Sequence, residues 1–147
     1  MSTQPKTENL SSIKYKIVLV PFPFADLSTR KVRPALCLTE PFGRFEHVVV
    51  AFISSKIDPI IEDTELEINS SEIEWASTGL ITKSILKLHK LVSIPKNLIL
   101  RELGTFPINK TSELNSRLKT IFDWELKSAE SLQQFSRPLR FSKTSIL

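Results

Sequence analysis

The chain alternates short apolar runs with polar turns that carry proline or glycine, and most of the runs have the length of a strand. From residue 15, YKIVLVPFPF is rich in β-branched and aromatic residues and ends in prolines, which predicts a strand terminating at a sheet edge. RPALCL (33–38) is a second short apolar run, and EPFGRFE (40–46) reads as the turn that follows it. HVVVAFIS (47–54) is continuously apolar, as expected of a buried central strand. DTELEI (63–68) alternates and reads as a half-exposed strand, while SSEIEWASTG (70–79) suits one or two helical turns stopped by Gly79. SILKLHKLVSI (84–94) is a further strand, ended by Pro95. In TSELNSRLKTIFDWELKS, Leu114, Leu118, Ile121 and Phe122 recur at helical spacing, with Thr111 placed to cap the start. About five short strands and few helices predict a mainly β fold, a small and strongly curved antiparallel barrel with one C-terminal helix.

Composition narrows the class. The 147 residues are 41% hydrophobic and 24% charged, the balance of one globular domain with short tails. No apolar run is long enough to span a bilayer. The start, MSTQPKTENLSS, lacks the basic-then-apolar pattern of a secretory signal, so no membrane association and a cytoplasmic location are the expectations. The tails are residues 1–12, which are polar, and 128–147, which have no sustained period. The lone Cys37 reads as a small buried side chain rather than a reactive thiol. One Cys and two His are too few soft ligands for zinc, and no metal or cofactor is expected.

The net charge of +4 is unevenly spread. Residues 1–35 hold six Lys/Arg against two acids, residues 57–75 hold seven Asp/Glu and no Lys or Arg, and residues 81–101 hold five Lys/Arg and no acid. Such segregation fits a basic face that attracts a polyanion, and equally the solvated faces of ordinary strands. Several chemistries are excluded. With only three glycines there is no Gly-rich loop to cradle a nucleotide, and there is no Gly-x-Ser-x-Gly elbow. His47 and His89 sit in no recognised motif, and the acidic block lacks calcium-loop spacing.

Geometry brings two polar side chains together. If runs 33–38 and 47–54 form a hairpin about Gly43, Arg33 falls opposite Ile53 or Ser54, with cross-strand Cβ atoms about 5 Å apart. A guanidinium then meets the hydroxyls of Ser54 and Ser55 at one end of the sheet, beside Arg30, Lys31 and Lys56. The Arg fork matches phosphate oxygens in bidentate fashion, and a serine adds one donor. If the phosphate belongs to RNA, a neighbouring 2′-hydroxyl supplies the nucleophile, and the protein need only orient the group and stabilise the charge that develops. The competing reading is an Arg33 that caps the sheet in a salt bridge to Asp26 or Asp58.

These same residues carry a resemblance. YKIVLVPFPFADLSTRKVRPALCL followed by VVVAFISSKI resembles the PemK/MazF-type toxins of type II toxin–antitoxin systems, which open with an Ile-Val-Leu-Val-x-Phe-like strand, a polar loop, Arg-Pro-Ala-Leu-x-Leu and a strand ending in Ile-Thr-Ser. GLITKSILKLHKLVSI and RELGTF are similar to later segments of the same family, and the likeness covers residues 13–127. It implies an SH3-like barrel, a homodimer, and metal-independent cleavage of single-stranded RNA to a 2′,3′-cyclic phosphate and a 5′-hydroxyl. It also implies a cognate antitoxin that occupies the RNA groove. By matching position, Arg33 takes the family's catalytic arginine, proposed to handle proton transfer and transition-state charge, and Ser54 stands where threonine is usual. Ser28, Arg30 and Lys31 match a loop that contacts RNA, with Ser55 and Lys56 completing the expected RNA-binding set. The alternatives are a barrel that binds nucleic acid or protein without cleaving, and a purely structural module whose acidic block engages a basic partner.

Overall fold

The computed structural model describes residues 12–22 and 31–123. The expected tails, apart from Ser12, lie outside the described residues, as do Ser28, Arg30 and Asp26.

Six strands form one antiparallel sheet: β1 (Lys16–Pro21), β2 (Val32–Cys37), β3 (His47–Ser54), β4 (Glu65–Ile68), β5 (Ser84–Pro95) and β6 (Arg101–Thr105). Their order across the sheet is β4-β5-β3-β2-β1-β6, and the sheet curls into a half-barrel closed by one C-terminal helix, α1 (Thr111–Phe122). The mainly β, barrel-like fold with a terminal helix thus matches the expectation. β3 is interior, flanked by β2 and β5, as its unbroken apolar run requires.

Three sequence expectations need correction. β1 is not an edge strand, because β6 pairs with it over Lys16–Leu19. Pro21 is tolerated because that pairing has ended before it, so its missing N–H costs no ladder bond on that side. β6 itself was not separable by pattern, because RELGT mixes charges and glycine and none of its five residues is fully buried. Thr111 does not cap α1 from outside. It is already helical, and its hydroxyl donates back to the Ile108 carbonyl at 2.8 Å.

Strand alternation sorts the core onto the two faces of the sheet. Ile17, Leu36, Ala51, Ile53, Leu86 and Leu88 belong to one cluster, joined by Phe106, just after β6, and by Leu114 of α1. Leu118 and Ile121 extend the helical stripe, whereas Phe122, about 80° round the helix from Leu114, is exposed. Val18, Val20, Ala35, Cys37, Val48 and Val50 line the other face. Burial pushes the Cys37 thiol up to about 12, with help from the carboxylates of Glu102 and Glu40. That thiol is inert, in line with the structural reading of the lone cysteine.

Gly79 and Gly104 dock the 3-10 turn Trp75–Thr78 on β6. A Cβ on Gly104 would lie 2.2 Å from the Ser77 carbonyl oxygen, and one on Gly79, whose φ is +75°, would lie 2.1 Å from the Leu103 carbonyl oxygen. Arg117 ties α1 to the approach to β4 by donating to the Asp63 carbonyl at 2.8 Å, while pairing with Glu113 one turn away.

Candidate active site

The second face carries the polar cluster at one end. β1 and β2 pair Val18 with Ala35 and Val20 with Arg33, and β2 and β3 pair Ala35 with Phe52. Continuing that register by two residues sets Arg33 across from Ser54. The rows Val18-Val20-Phe22, Cys37-Ala35-Arg33 and Val48-Val50-Phe52-Ser54 therefore run along one face, apolar in the middle and functional at the tip. Phe22 closes its row where its N–H donates to the Lys31 carbonyl at 3.0 Å.

Arg33, Ser54, Phe22 and Phe52 line a cavity of about 300 Å³. Lys56, Lys87, Lys90, Asp58 and Ile53 complete its wall. Lys90 arrives through an irregularity. Phe52 pairs with Lys87 of β5 while Ala51 pairs with Leu91, so Leu88, His89 and Lys90 stand unopposed and the strand bends there.

The cations are not equivalent. Lys87 is bound to Glu65 at 3.0 Å, a half-buried pair across β4 and β5. Glu65 is held below the ordinary carboxylate value first by the backbone N–H of Glu62 and then by Lys87. Arg33 enters no ion pair among the described residues, so the expected alternative of a bridge to Asp58 is not formed. Its guanidinium instead lies over the Phe22 ring, 5.2 Å from the centroid.

Ser54 is held too. Its Oγ accepts the Lys56 N–H at 3.0 Å, a local turn that leaves the hydroxyl proton to donate elsewhere.

The expected residues thus divide. Arg33, Ser54 and Lys56 come together on the cavity. Lys31, opposite Phe22, and Ser55 are exposed and are not on its wall. His89 is turned to Thr64, 3.0 Å from its hydroxyl. Phe22, Phe52, Lys87 and Lys90 were missed from sequence. Period-two alternation from Val18 and Val50 pointed to the two aromatics, but nothing in the sequence marks the bend that delivers Lys90. Among the described residues, three of the seven acids in the acidic block are ion-paired. Glu65 and Glu67 on β4 pair with Lys87 and Lys83, and Glu72 pairs with Lys110.

The fold that carries this cavity is one that known proteins share. Residues 14–122 match the PemK-like, MazF-like toxins of type II toxin–antitoxin systems. The chain belongs to this toxin family. No curated protein matches it in sequence. Among solved structures, the Mycobacterium tuberculosis toxin MazF-mt6 is 21% identical, with a TM-score of 0.56 over 76% of this chain and 99% of that one. An endoribonuclease solved in complex with its cognate antitoxin from Mycobacterial species is 12% identical, with a TM-score of 0.58 over 80% of this chain and all of that one. At these identities the PemK/MazF likeness is one of fold. The cavity described above lies wholly within the matched residues.

Proposed function

We propose that the chain is a toxin endoribonuclease that cleaves single-stranded RNA without a metal ion and is neutralised by a cognate antitoxin, acting as a homodimer. The observation that carries this reading is the meeting of Arg33 and Ser54 on one cavity, with Arg33 bound to no carboxylate among the described residues. The family match and the antitoxin complex of a structural neighbour support the toxin role and the partner.

In this reading a phosphodiester seats between the Arg33 guanidinium and the Ser54 hydroxyl. The adjacent ribose 2′-hydroxyl gives up its proton to solvent as its oxygen attacks phosphorus, the bond to the 5′-oxygen breaks, and that oxygen takes up a proton from solvent, leaving a 2′,3′-cyclic phosphate and a 5′-hydroxyl. Charge accumulates on the non-bridging oxygens of the phosphorane. A guanidinium keeps its proton throughout, so Arg33 acts by bidentate hydrogen bonding and charge stabilisation at that step. Ser54 donates its free proton to the same oxygens. Lys56 and Lys90 attract the neighbouring phosphates, and Lys87, tied to Glu65, is the fixed point of the wall. RNA affinity then falls as salt rises.

The test is incubation of the purified protein with a long single-stranded RNA in EDTA, beside Arg33→Ala. Cleavage that persists in chelator and falls at least about 100-fold in the variant is expected. Salt-sensitive binding with no cleavage by the wild-type protein would instead establish a non-catalytic binding barrel.

A further inference from the structure

Arg33 leaves the start of β2 on a long, freely rotating stem and is exposed, so some contact must select its orientation. Among the described residues that contact is not a carboxylate. It is the face of Phe22, 5.2 Å from ring centroid to guanidinium carbon. Phe22 lies diagonally across the β1–β2 pair from Arg33, within reach of aromatic and long side chains. Phe52 meets Phe22 edge to face, with centroids 5.2 Å apart and planes at 74°. Two contacts thus run in series, from Phe52 on β3 to Phe22 just beyond β1 and from Phe22 to Arg33 on β2.

We propose that Phe22 is a positioning residue for Arg33. Its ring face, braced by Phe52, holds the guanidinium in the orientation from which it meets a phosphate in the cavity. The attraction is electrostatic, between the cation and the negative face of the ring, and so depends on π electrons rather than on apolar volume alone. A planar guanidinium stacked on one side keeps its N–H edge free to hydrogen-bond outward. This inference rests on the cavity being the site of RNA cleavage.

Leucine at position 22 keeps an apolar side chain and removes the ring face. Phe22→Leu is expected to lower kcat about three- to tenfold with KM little changed, and Phe22→Tyr to restore the wild-type rate. The accompanying structural readout is the Nε–H proton of Arg33 by NMR. In the wild-type protein it is shifted upfield by the ring current of Phe22, and in Phe22→Leu that shift is lost. Unchanged kcat in Phe22→Leu overturns the proposal. So does a raised KM at constant kcat, which would make the ring a contact for an RNA base. If Phe22→Leu does not fold, fluorinated phenylalanines at position 22 keep the shape and weaken the ring face stepwise. A kcat that falls with each fluorine supports positioning, and a flat series refutes it. Should the wild-type protein cleave no RNA, the functional reading fails, and the Nε–H shift alone decides whether Phe22 holds Arg33.

Discussion

Ser54 lacks the methyl that restricts a threonine's rotamer. In this fold the constraint comes instead from the main chain, because the Lys56 N–H donates to Ser54 Oγ and fixes where the hydroxyl points. Two outcomes follow. Ser54→Thr keeps the acceptor for Lys56 and the donor for phosphate, so its cleavage rate should stay within about threefold of wild type. Ser54→Ala loses a hydrogen bond to a charged group, and kcat/KM should fall about 10- to 100-fold. Equal rates for the alanine and wild-type proteins would remove Ser54 from the reaction. The juxtaposition of Arg33 with Ser54 was legible in sequence, since two strand-length runs about Gly43 admit few registers. Phe22 was less so, because a phenylalanine between two prolines reads as the end of a strand and its role depends on a diagonal neighbour.

Among the elements, β4 and β5 show what charge patterning left open. The acidic block and the basic segment after it read equally as separate faces or as solvated strands. In the fold each contributes to one of two adjacent strands, where Glu65 pairs with Lys87 across the ladder and Glu67 reaches Lys83 just before β5. Sequence distance concealed this, because the partners are brought together by a turn and a register that no short motif announces. The pairing has a pH signature. The Glu65 pKa in the folded protein is lowered from the usual 4.5, so the folded state resists protonation and Glu65 adds stability above that pH. The contribution is lost as pH falls below that value. Melting temperatures from pH 7 to pH 3 should therefore drop less steeply for Glu65→Gln than for wild type in the acid window, and parallel curves would exclude Glu65 as a contributor. β6 was hidden for another reason. Its pairing with β1 and the docking of the 3-10 turn depend on Gly104, which sequence presents only as a strand-breaking residue. Gly104→Ala sets a Cβ against the Ser77 carbonyl, and should cost about 1–3 kcal/mol, read as a lower melting temperature with the β-rich circular dichroism spectrum retained.

The whole molecule is a curled sheet with one face covered by a helix and the other carrying a cationic cavity at its tip. Neither half of that description is read from the modest net charge of +4, in which Lys16, Lys83 and Lys87 count although each is paired with a carboxylate. What matters is the local surplus formed by Arg33, Lys56 and Lys90 around one hydroxyl. The barrel class and the terminal helix were readable from the periods of the apolar runs. The shape of the cavity was not, because it depends on the bend in β5 and on the curl that brings the ring just beyond β1 into contact with one on β3. In the proposed reaction Arg33 and Ser54 direct a 2′-hydroxyl onto the phosphate between two ribonucleotides. End-group analysis of RNA cut in EDTA tests this most directly. The wild-type protein should give 2′,3′-cyclic phosphate and 5′-hydroxyl termini and folded Arg33→Ala none, whereas intact RNA, 5′-phosphate ends or full activity in the variant would exclude that role.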